Sequence, residues 1–387
     1  MPNAILDPGT RLPNVGTTIF SVMSTLATKH RAINLSQGYP DFDCPPALQE
    51  NVKRFMAQGL NQYAPMGGVP ELCTAIAEKT LRLYGRNVDP VHEVTVTAGA
   101  TEALFCAITA LVRSGDEVIV FDPVYGAYEP AIQLAGGRTV HIPLQVPNHG
   151  VDWQRVADAV NEKTRAITLN NPHNPTGSTL SADDLDTLCE LTRDRHLFLV
   201  ADEVYEHIVF DSLPHQSLHR HDELATRSLV ISSFGKTYHA TGWKVGYCIA
   251  PPRLTEELRK VHQFVTFSVA TPLQYAYAEY LQSNPEHYES LPEFYQAKRD
   301  LFCSLLADSA LTLVPSAGTY FQLADFSAVA EKSDVEFARW LTTEVGVAAI
   351  PTSVFEQSPD AARRVVRFCF AKNDDTLQAA AEKLCQI

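Results

Sequence analysis

The run Ser228-Leu229-Val230-Ile231-Ser232-Ser233-Phe234-Gly235-Lys236-Thr237 passes from an uncharged apolar stretch into a small-residue turn that carries one lysine. Such a short apolar run reads as a strand buried on both faces, and the turn at its carboxyl end is where ligands collect in an open α/β sheet. Two earlier stretches have the same form. Leu197-Phe198-Leu199-Val200 leads into Ala201-Asp202-Glu203-Val204-Tyr205, and Ala166-Ile167-Thr168-Leu169 leads into Asn170-Asn171-Pro172-His173-Asn174-Pro175-Thr176-Gly177. An amide, a carboxylate, a phenol and an amine therefore follow three buried-looking strands in turn.

Further out, Val94-Thr95-Val96-Thr97 and Val118-Ile119-Val120-Phe121 complete a set of short apolar runs between residues 93 and 250, with helical patterns at 101–112 and 181–193 between them. This alternation predicts an α/β domain with a mainly parallel sheet covered on both faces. Ser181 with Asp184 three residues on is a variant capping box. The ends read differently. Ile19, Val22, Met23 and Leu26 mark an amphipathic helix, and Leu291, Phe294, Tyr295, Phe302, Leu305 and Leu306 mark a long one. Strand-like Thr319-Tyr320-Phe321-Gln322-Leu323, a helical pattern at 335–341, strand-like Val365-Val366-Arg367-Phe368-Cys369-Phe370 and a closing helix predict a smaller α+β unit.

With 387 residues, 45% hydrophobic and 20% charged, the chain has a globular composition and room for about two domains. Its 31 basic and 45 acidic residues leave a formal charge of −14, which repels phosphate backbones, so no nucleic-acid partner is expected. Met1-Pro2-Asn3-Ala4-Ile5-Leu6-Asp7-Pro8-Gly9 lacks the pattern of a secretory signal, and no apolar run approaches a membrane span. A cytoplasmic protein without membrane contact is expected. Cys44, Cys73, Cys106, Cys189, Cys248, Cys303, Cys369 and Cys385 are scattered, without a C-x-x-C pair, and read as reduced core thiols. His215, His219 and His221 have a spacing that suits a metal, but their polar surroundings favour a solvated loop, and no metal is expected.

Thr97-Ala98-Gly99-Ala100-Thr101-Glu102-Ala103-Leu104 joins a strand to a helix through small residues, which lets a phosphate approach the N–H groups of the first helical turn. Tight strand–helix packing asks for the same residues. The stretch is neither G-x-G-x-x-G nor a Walker loop, which disfavours dinucleotides and nucleoside triphosphates. Asp202 has the position of a site carboxylate, although one that caps a turn looks the same in sequence. Most lysines are solvated. Lys236 is set apart by Ser233, by the room Gly235 gives the backbone, and by Lys244 in Thr241-Gly242-Trp243-Lys244-Val245-Gly246, a point charge for an anion. Arg367, inside an apolar run, is costly to bury without an anion, whether an internal carboxylate or a ligand's. An amine to form a Schiff base, an acid for a ring nitrogen and donors for a ring oxygen are the groups pyridoxal phosphate chemistry needs.

In its ordered motifs the chain resembles fold-type I pyridoxal phosphate aminotransferases of class I and II, in the pattern of the bacterial methionine and the kynurenine or glutamine branches. The resemblance is carried by Leu35-Ser36-Gln37-Gly38-Tyr39-Pro40-Asp41-Phe42, Asn61-Gln62-Tyr63-Ala64-Pro65, the stretches 97–104 and 232–237, and Gly242-Trp243-Lys244-Val245-Gly246-Tyr247. It runs along nearly the whole chain. The implied fold is α/β, a large mainly parallel-sheet domain sandwiched by helices at 46–285, with a smaller α+β domain built from 1–45 and 286–387. Pyridoxal 5'-phosphate is the implied cofactor, held at its phosphate by Ala100, Thr101, Ser233 and Lys244 and stacked on Tyr125. By the same resemblance Lys236 bonds the cofactor and shuttles the substrate proton, Asp202 faces the ring nitrogen, and Asn174 and Tyr205 hydrogen-bond the ring oxygen. Tyr63 is implied to reach the neighbouring subunit's phosphate, hence a homodimer with shared active sites. Many relatives carry arginine where Lys244 stands, whereas the kynurenine-type branch carries lysine.

Gly38 and Arg367 are implied to hold the substrate α-carboxylate, with Asn174 also binding the substrate, and Ile19, Tyr39, Tyr63 and, from the partner subunit, Phe267 to surround its side chain. The implied reaction is ping-pong transfer of nitrogen from an amino acid to a 2-oxo acid. No arginine stands at 17–20 or 264–271, so an unpaired second carboxylate would be costly there, and methionine and aromatic amino acids are favoured over aspartate. Two rivals accompany this expectation: a kynurenine or glutamine aminotransferase with cysteine-S-conjugate β-lyase activity, and a cofactor-sensing regulator, which the charge of −14 disfavours.

Overall fold

The computed structural model describes residues 9–387; residues 1–8, part of the N-terminal stretch that lacks a secretory-signal pattern, lie outside them. After a helix at Ile19–His30 comes a two-residue strand, β1 (Ile33–Asn34), and then helices at Pro46–Ala57 and Pro70–Tyr84. Seven strands follow: β2 (Val94–Thr97), β3 (Glu117–Asp122), β4 (Arg138–Pro143), β5 (Thr164–Asn170), β6 (Phe198–Asp202), β7 (Ser228–Ser233) and β8 (Gly246–Ile249). They form one sheet in the order β2-β8-β7-β6-β5-β3-β4. Only β8 runs against its neighbours.

The strands read from apolar runs are buried on both faces for a visible reason. Val118, Val120, Val200, Leu229 and Ile231 pack with residues of the helix Ala100–Leu111 on one side of the sheet. Ile119, Phe121, Leu199, Ala201 and Val230 pack with the helix Ala182–Thr192 on the other. Successive side chains thus enter two different cores, which demands apolar residues at every position. The edge strand β4 was not legible this way, because Arg138 is exposed and residues 139–141 are half-buried. The capping box is present in full: Ser181 accepts from the Asp184 N–H, and the Asp184 carboxylate accepts from the Ser181 N–H at 2.7 Å.

Beyond helices at Pro252–Val265, Thr271–Ser283 and Glu286–Leu305 lie β9 (Thr312–Leu313), β10 (Phe321–Asp325), β11 (Val347–Ala348), β12 (Ile350–Pro351) and β13 (Val365–Cys369). Antiparallel β12-β13-β10-β9 forms a second sheet, and β11 pairs in parallel with β1, joining the N-terminal segment to the C-terminal elements. Among the described residues no helix is long and apolar enough to cross a membrane.

Two expectations need correction. The histidine stretch is not a solvated loop: His215 and His219 are buried, His215 Nε2 lies 3.0 Å from Glu203 Oε2, and the His219 ring stacks on Tyr84. Burial pushes the His219 pKa down to about 4, and polar neighbours in the chain gave no hint of that enclosure. Of the eight cysteines, all free, Cys385 is exposed and Cys303 half-buried rather than core.

Candidate active site

The carboxyl ends of β5, β6 and β7 open into a cavity of about 300 Å³, whose far wall comes from Phe20, Gln37 and Gly38 and from Phe321 on β10 and Arg367 on β13. Ala100, Thr101, Tyr125, Asn174, Asp202, Tyr205, Ser233, Lys236 and Lys244 all line it, as do Gly38 and Arg367. Eleven of the residues singled out in the sequence therefore share one space, although they span 330 positions of chain, 38 to 367.

One end is built for an anion. The first turn of helix Ala100–Leu111 presents Ala100 and Thr101, and Ser233, Thr241 and Lys244 close around it. Gly99, at φ +76°, leaves room for Lys244: a Cβ there would lie 3.1 Å from both Cε and Nζ of that lysine. A Cβ at Gly246 would meet Ala100 N and Ser232 O at 2.8 Å each, so the approach of strand to helix requires glycine. Helix dipole, free N–H groups, hydroxyl and ammonium act in the same sense.

Deeper in, Asp202 ends β6 and is buried; its Oδ2 accepts from the Tyr128 hydroxyl at 2.7 Å and its Oδ1 from the Val204 N–H at 3.3 Å. Burial outweighs these bonds and lifts its pKa to about 6. Such a carboxyl gains from a cationic partner, as a protonated ring nitrogen would be. Asn170 at the end of β5 accepts from the Asn174 N–H at 2.8 Å and donates to the Asp202 carbonyl at 3.0 Å, which locks the two strand ends together. Burial also raises the pKa of the Tyr205 phenol, keeping it a neutral donor.

Lys236 donates to the Tyr320 hydroxyl at 2.8 Å and to the Gly38 carbonyl at 3.0 Å. Burial lowers its pKa to about 8, helped by the charges of Arg367 and Lys244 and opposed by that of Asp202. A fraction of the amine is therefore unprotonated near neutrality, as a nucleophile or base requires.

Arg367 is fully buried, with its guanidinium carbon 3.8 Å from the Phe321 ring centre and 5.3 Å from that of Phe20. It donates to Asn174 Oδ1 at 2.8 Å and to the Ser36 carbonyl at 3.0 Å, and its Nε has no partner. Among the described residues no carboxylate forms an ion pair with it. A buried guanidinium left without an anion is a site for one.

Four named residues lie outside the cavity lining. Ile19 is half-buried against the core, and its neighbour Phe20 faces the cavity instead, a difference of one helical position that periodicity does not resolve. Tyr39 is half-exposed, with its carbonyl accepting from Lys372 at 2.8 Å. Tyr63 and Phe267 are exposed and meet edge-on, with ring centres 5.4 Å apart. The sequence reading missed Asn170, Tyr128, Tyr320 and Phe321. Asn170 opens the Asn-Asn-Pro run and could have been included; the aromatics read as core.

Metal-ligating side chains converge within ligand distance, among the described residues, at Glu102, Cys106 and His262. These groups already hydrogen-bond one another: Cys106 donates to Glu102 Oε1 at 2.9 Å, and His262 Nδ1 lies 2.8 Å from the same oxygen.

A doubly covered parallel sheet with a buried lysine, a carboxylate and an unpaired arginine at its carboxyl edge is the architecture of the fold-type I transferases. The family model for aminotransferase class I and II matches residues 30–384, and the chain belongs to that family. It is an aminotransferase. It is 54% identical over 387 residues, the whole of both chains, to an Escherichia coli methionine aminotransferase. A solved E. coli structure, with a methionine aminotransferase function identified for it, superposes with a TM-score of 0.97 over 99% of this chain and 100% of that one. N-succinyldiaminopimelate aminotransferase from Mycobacterium tuberculosis matches at 38% identity and a TM-score of 0.95, covering 98% of this chain and 100% of that one. A rat kynurenine–oxoglutarate transaminase is 35% identical over 96% of this chain and 88% of its own.

Proposed function

We propose that this chain uses pyridoxal phosphate to move the amino group of methionine, and of aromatic amino acids, to a 2-oxo acid in two half-reactions. The reading rests above all on Lys236, a buried amine of lowered pKa that shares one cavity with a buried carboxyl of raised pKa and with a guanidinium lacking a carboxylate. The residues fit the cofactor. Ala100, Thr101, Ser233 and Lys244 would hold its phosphate, Asp202 its ring nitrogen, Asn174 and Tyr205 its ring oxygen, and Tyr125 would lie along its face. When bound, it supplies a ring that delocalises the charge left as the substrate Cα gives up its proton.

The remaining work falls to the chain. Asp202, ionised by a cationic partner, keeps the proton on the ring nitrogen, and Tyr128 fixes that carboxylate. Arg367 orients the substrate through its α-carboxylate, and Asn174 holds the guanidinium in place. Lys236 would take the proton from the substrate Cα and deliver it to the cofactor carbon on the other side of the transferred nitrogen, while Tyr320 and Gly38 keep the amine close when it is free. Phe20, Leu104 and Phe321 line the cavity with apolar surface, and Arg367 is the one arginine among its described lining residues. A thioether or aromatic side chain suits such walls, and a second carboxylate does not. The 54% identity to a methionine enzyme, against 35% to a kynurenine one, supports the same order of substrates.

A homodimer with shared sites is part of the proposal. Tyr63 and Phe267, outside the cavity of their own chain yet exposed, suit a role in the site of a second copy. We also retain the division into a large unit at 46–285 and a small one from 1–45 and 286–387, and a cytoplasmic location. The test is a half-reaction. Cofactor-loaded protein given L-methionine and no acceptor should release one equivalent of the matching 2-oxo acid and stop until an oxo acid is added. Continued release of ammonia from a cysteine conjugate would favour the lyase, and no reaction with methionine would remove it as substrate.

A further inference from the structure

Glu102 stands in the first turn of the anion-binding helix, directly after Thr101, and is absent from the cavity lining. Its Oε2 accepts from the Ala98 N–H at 2.9 Å, and its Oε1 accepts from Cys106 at 2.9 Å and lies 2.8 Å from His262 Nδ1. The other ring nitrogen of His262, Nε2, is 3.1 Å from the Met66 carbonyl. A carbonyl can only accept, so the bond to Met66 is donated by Nε2, and Nδ1 faces the Glu102 carboxylate. His262 is fully buried, with both ring nitrogens engaged.

The segments joined in this way are the ones the site needs in register. Met66 lies three residues after Tyr63, and Phe267 lies five after His262. The two segments are stitched together by Ser268, which donates to the Ala64 carbonyl at 3.0 Å, by Thr271, which donates to the Gln62 carbonyl, and by Gln274, which accepts from the Val69 N–H at 2.8 Å. A backbone bond from Val96 N to the Gly67 carbonyl at 2.9 Å ties this assembly to strand β2. The polar tie to the helix that carries Ala100 and Thr101 runs through the imidazole, beside the apolar packing of Leu258 and Val261 on that helix.

We propose that His262 is a positioning residue for the anion cradle: through Glu102 it fixes the first turn of helix Ala100–Leu111 against the segment that carries Tyr63. The proposal rests on the reading that this cradle takes the cofactor's phosphate. Removing the imidazole takes from Glu102 Oε1 and from the Met66 carbonyl the group that joins them, leaving Glu102 to its bonds with Ala98 and Cys106 and the helix start without its polar tie to the Tyr63 segment.

The test separates positioning from general loosening by comparing pyridoxal phosphate with pyridoxal, which has the same ring and no phosphate. Affinity for each is measured by absorbance titration of the full chain and of His262→Ala and His262→Gln. The alanine variant should lose about tenfold in affinity for pyridoxal phosphate and less than about twofold for pyridoxal, the size of a lost charge-assisted hydrogen bond. Glutamine can donate to one of the two acceptors and should fall between; if the alanine variant does not fold, glutamine decides. Unchanged pyridoxal phosphate affinity in a folded variant, or equal losses for both ligands, would overturn the proposal. A native chain that does not prefer the phosphorylated ligand would bring down the cradle itself.

Discussion

The Tyr320 hydroxyl accepts a hydrogen bond from the Lys236 amine at 2.8 Å and donates its own proton to the Gly38 carbonyl at 2.6 Å, an oxygen that Lys236 also reaches at 3.0 Å. Three segments distant in sequence thereby meet at the reacting amine. Gly38 belongs to the N-terminal segment and Tyr320 precedes β10, while Lys236 follows β7 of the large sheet. Proton transfer by Lys236 depends on where its flexible stem is held, and the triangle holds it.

Tyr320→Phe keeps the ring, which packs against Tyr205 at 5.1 Å between centres, and removes only the hydroxyl. Cofactor should still bind, and the single-turnover rate with L-methionine should fall about tenfold, the size of one hydrogen bond to a charged group. Stopped-flow absorbance reads both quantities. A native rate would mean that the triangle has no part in the chemistry.

Arg367 gives a prediction with opposite signs for activity and stability. Its charge is buried without a carboxylate, so Arg367→Met should leave thermal stability of the cofactor-free protein equal or higher, as replacement of buried charges by apolar groups often does. The same change should lower kcat/KM for methionine by roughly a hundredfold or more, with KM bearing part of the loss. Thermal melts and steady-state kinetics on one preparation check both; a fall of several degrees in Tm would show that the bonds to Asn174 and Ser36 stabilise the fold.

Much of this was legible in the sequence because burial on both faces of a sheet leaves a continuous apolar run. β3, β5, β6 and β7 each announce themselves, and the polar residue that ends such a run lies at the ligand edge. Asp202 and Ser233 were found in this way. What stayed hidden is what depends on the third dimension. Phe20 and Ile19 differ by one helical position, Tyr128 and Tyr320 are aromatics in apolar surroundings, and β4 is a half-exposed edge. His215 and His219 sit in polar sequence, yet Tyr84 and Glu203, distant in the chain, bury them.

Asp202 should make the cofactor-free protein less stable as the pH rises. Its folded pKa, about 6, lies above the ordinary aspartate value of 3.8. The protonated form is thus favoured by folding: the contribution is fully present below about pH 4 and is lost as the pH rises through about 6. About two pKa units correspond to about 3 kcal/mol. The difference in unfolding free energy between the native protein and Asp202→Asn should move against the native protein by that order across the window, and level off on either side. Denaturant titrations at a series of pH values measure it, and a flat difference would contradict the buried, raised carboxyl. With cofactor bound, a cationic ring nitrogen would erase the trend.

Tyr63 provides the sharpest test of a shared site, because in a single chain it does nothing for the cavity. The residue is 83% exposed and its ring leans on Phe267, which itself holds a φ of +67° that non-glycine residues rarely adopt. If the phenol serves the phosphate of a second copy, Tyr63→Ala should weaken cofactor affinity by about tenfold, the loss of one charge-assisted bond. Lys236→Ala should lower turnover by roughly ten-thousand-fold or more. Each variant retains what the other lacks. Unfolded and refolded together at limiting cofactor, half of the dimers formed would be mixed, each with one site holding both native residues. Activity should therefore rise to roughly a quarter of the native value, above the mean of the two variants refolded separately. A mixture that gives only that mean would show that every site is completed by its own chain, and Tyr63 would then have to be explained by packing against Phe267 alone.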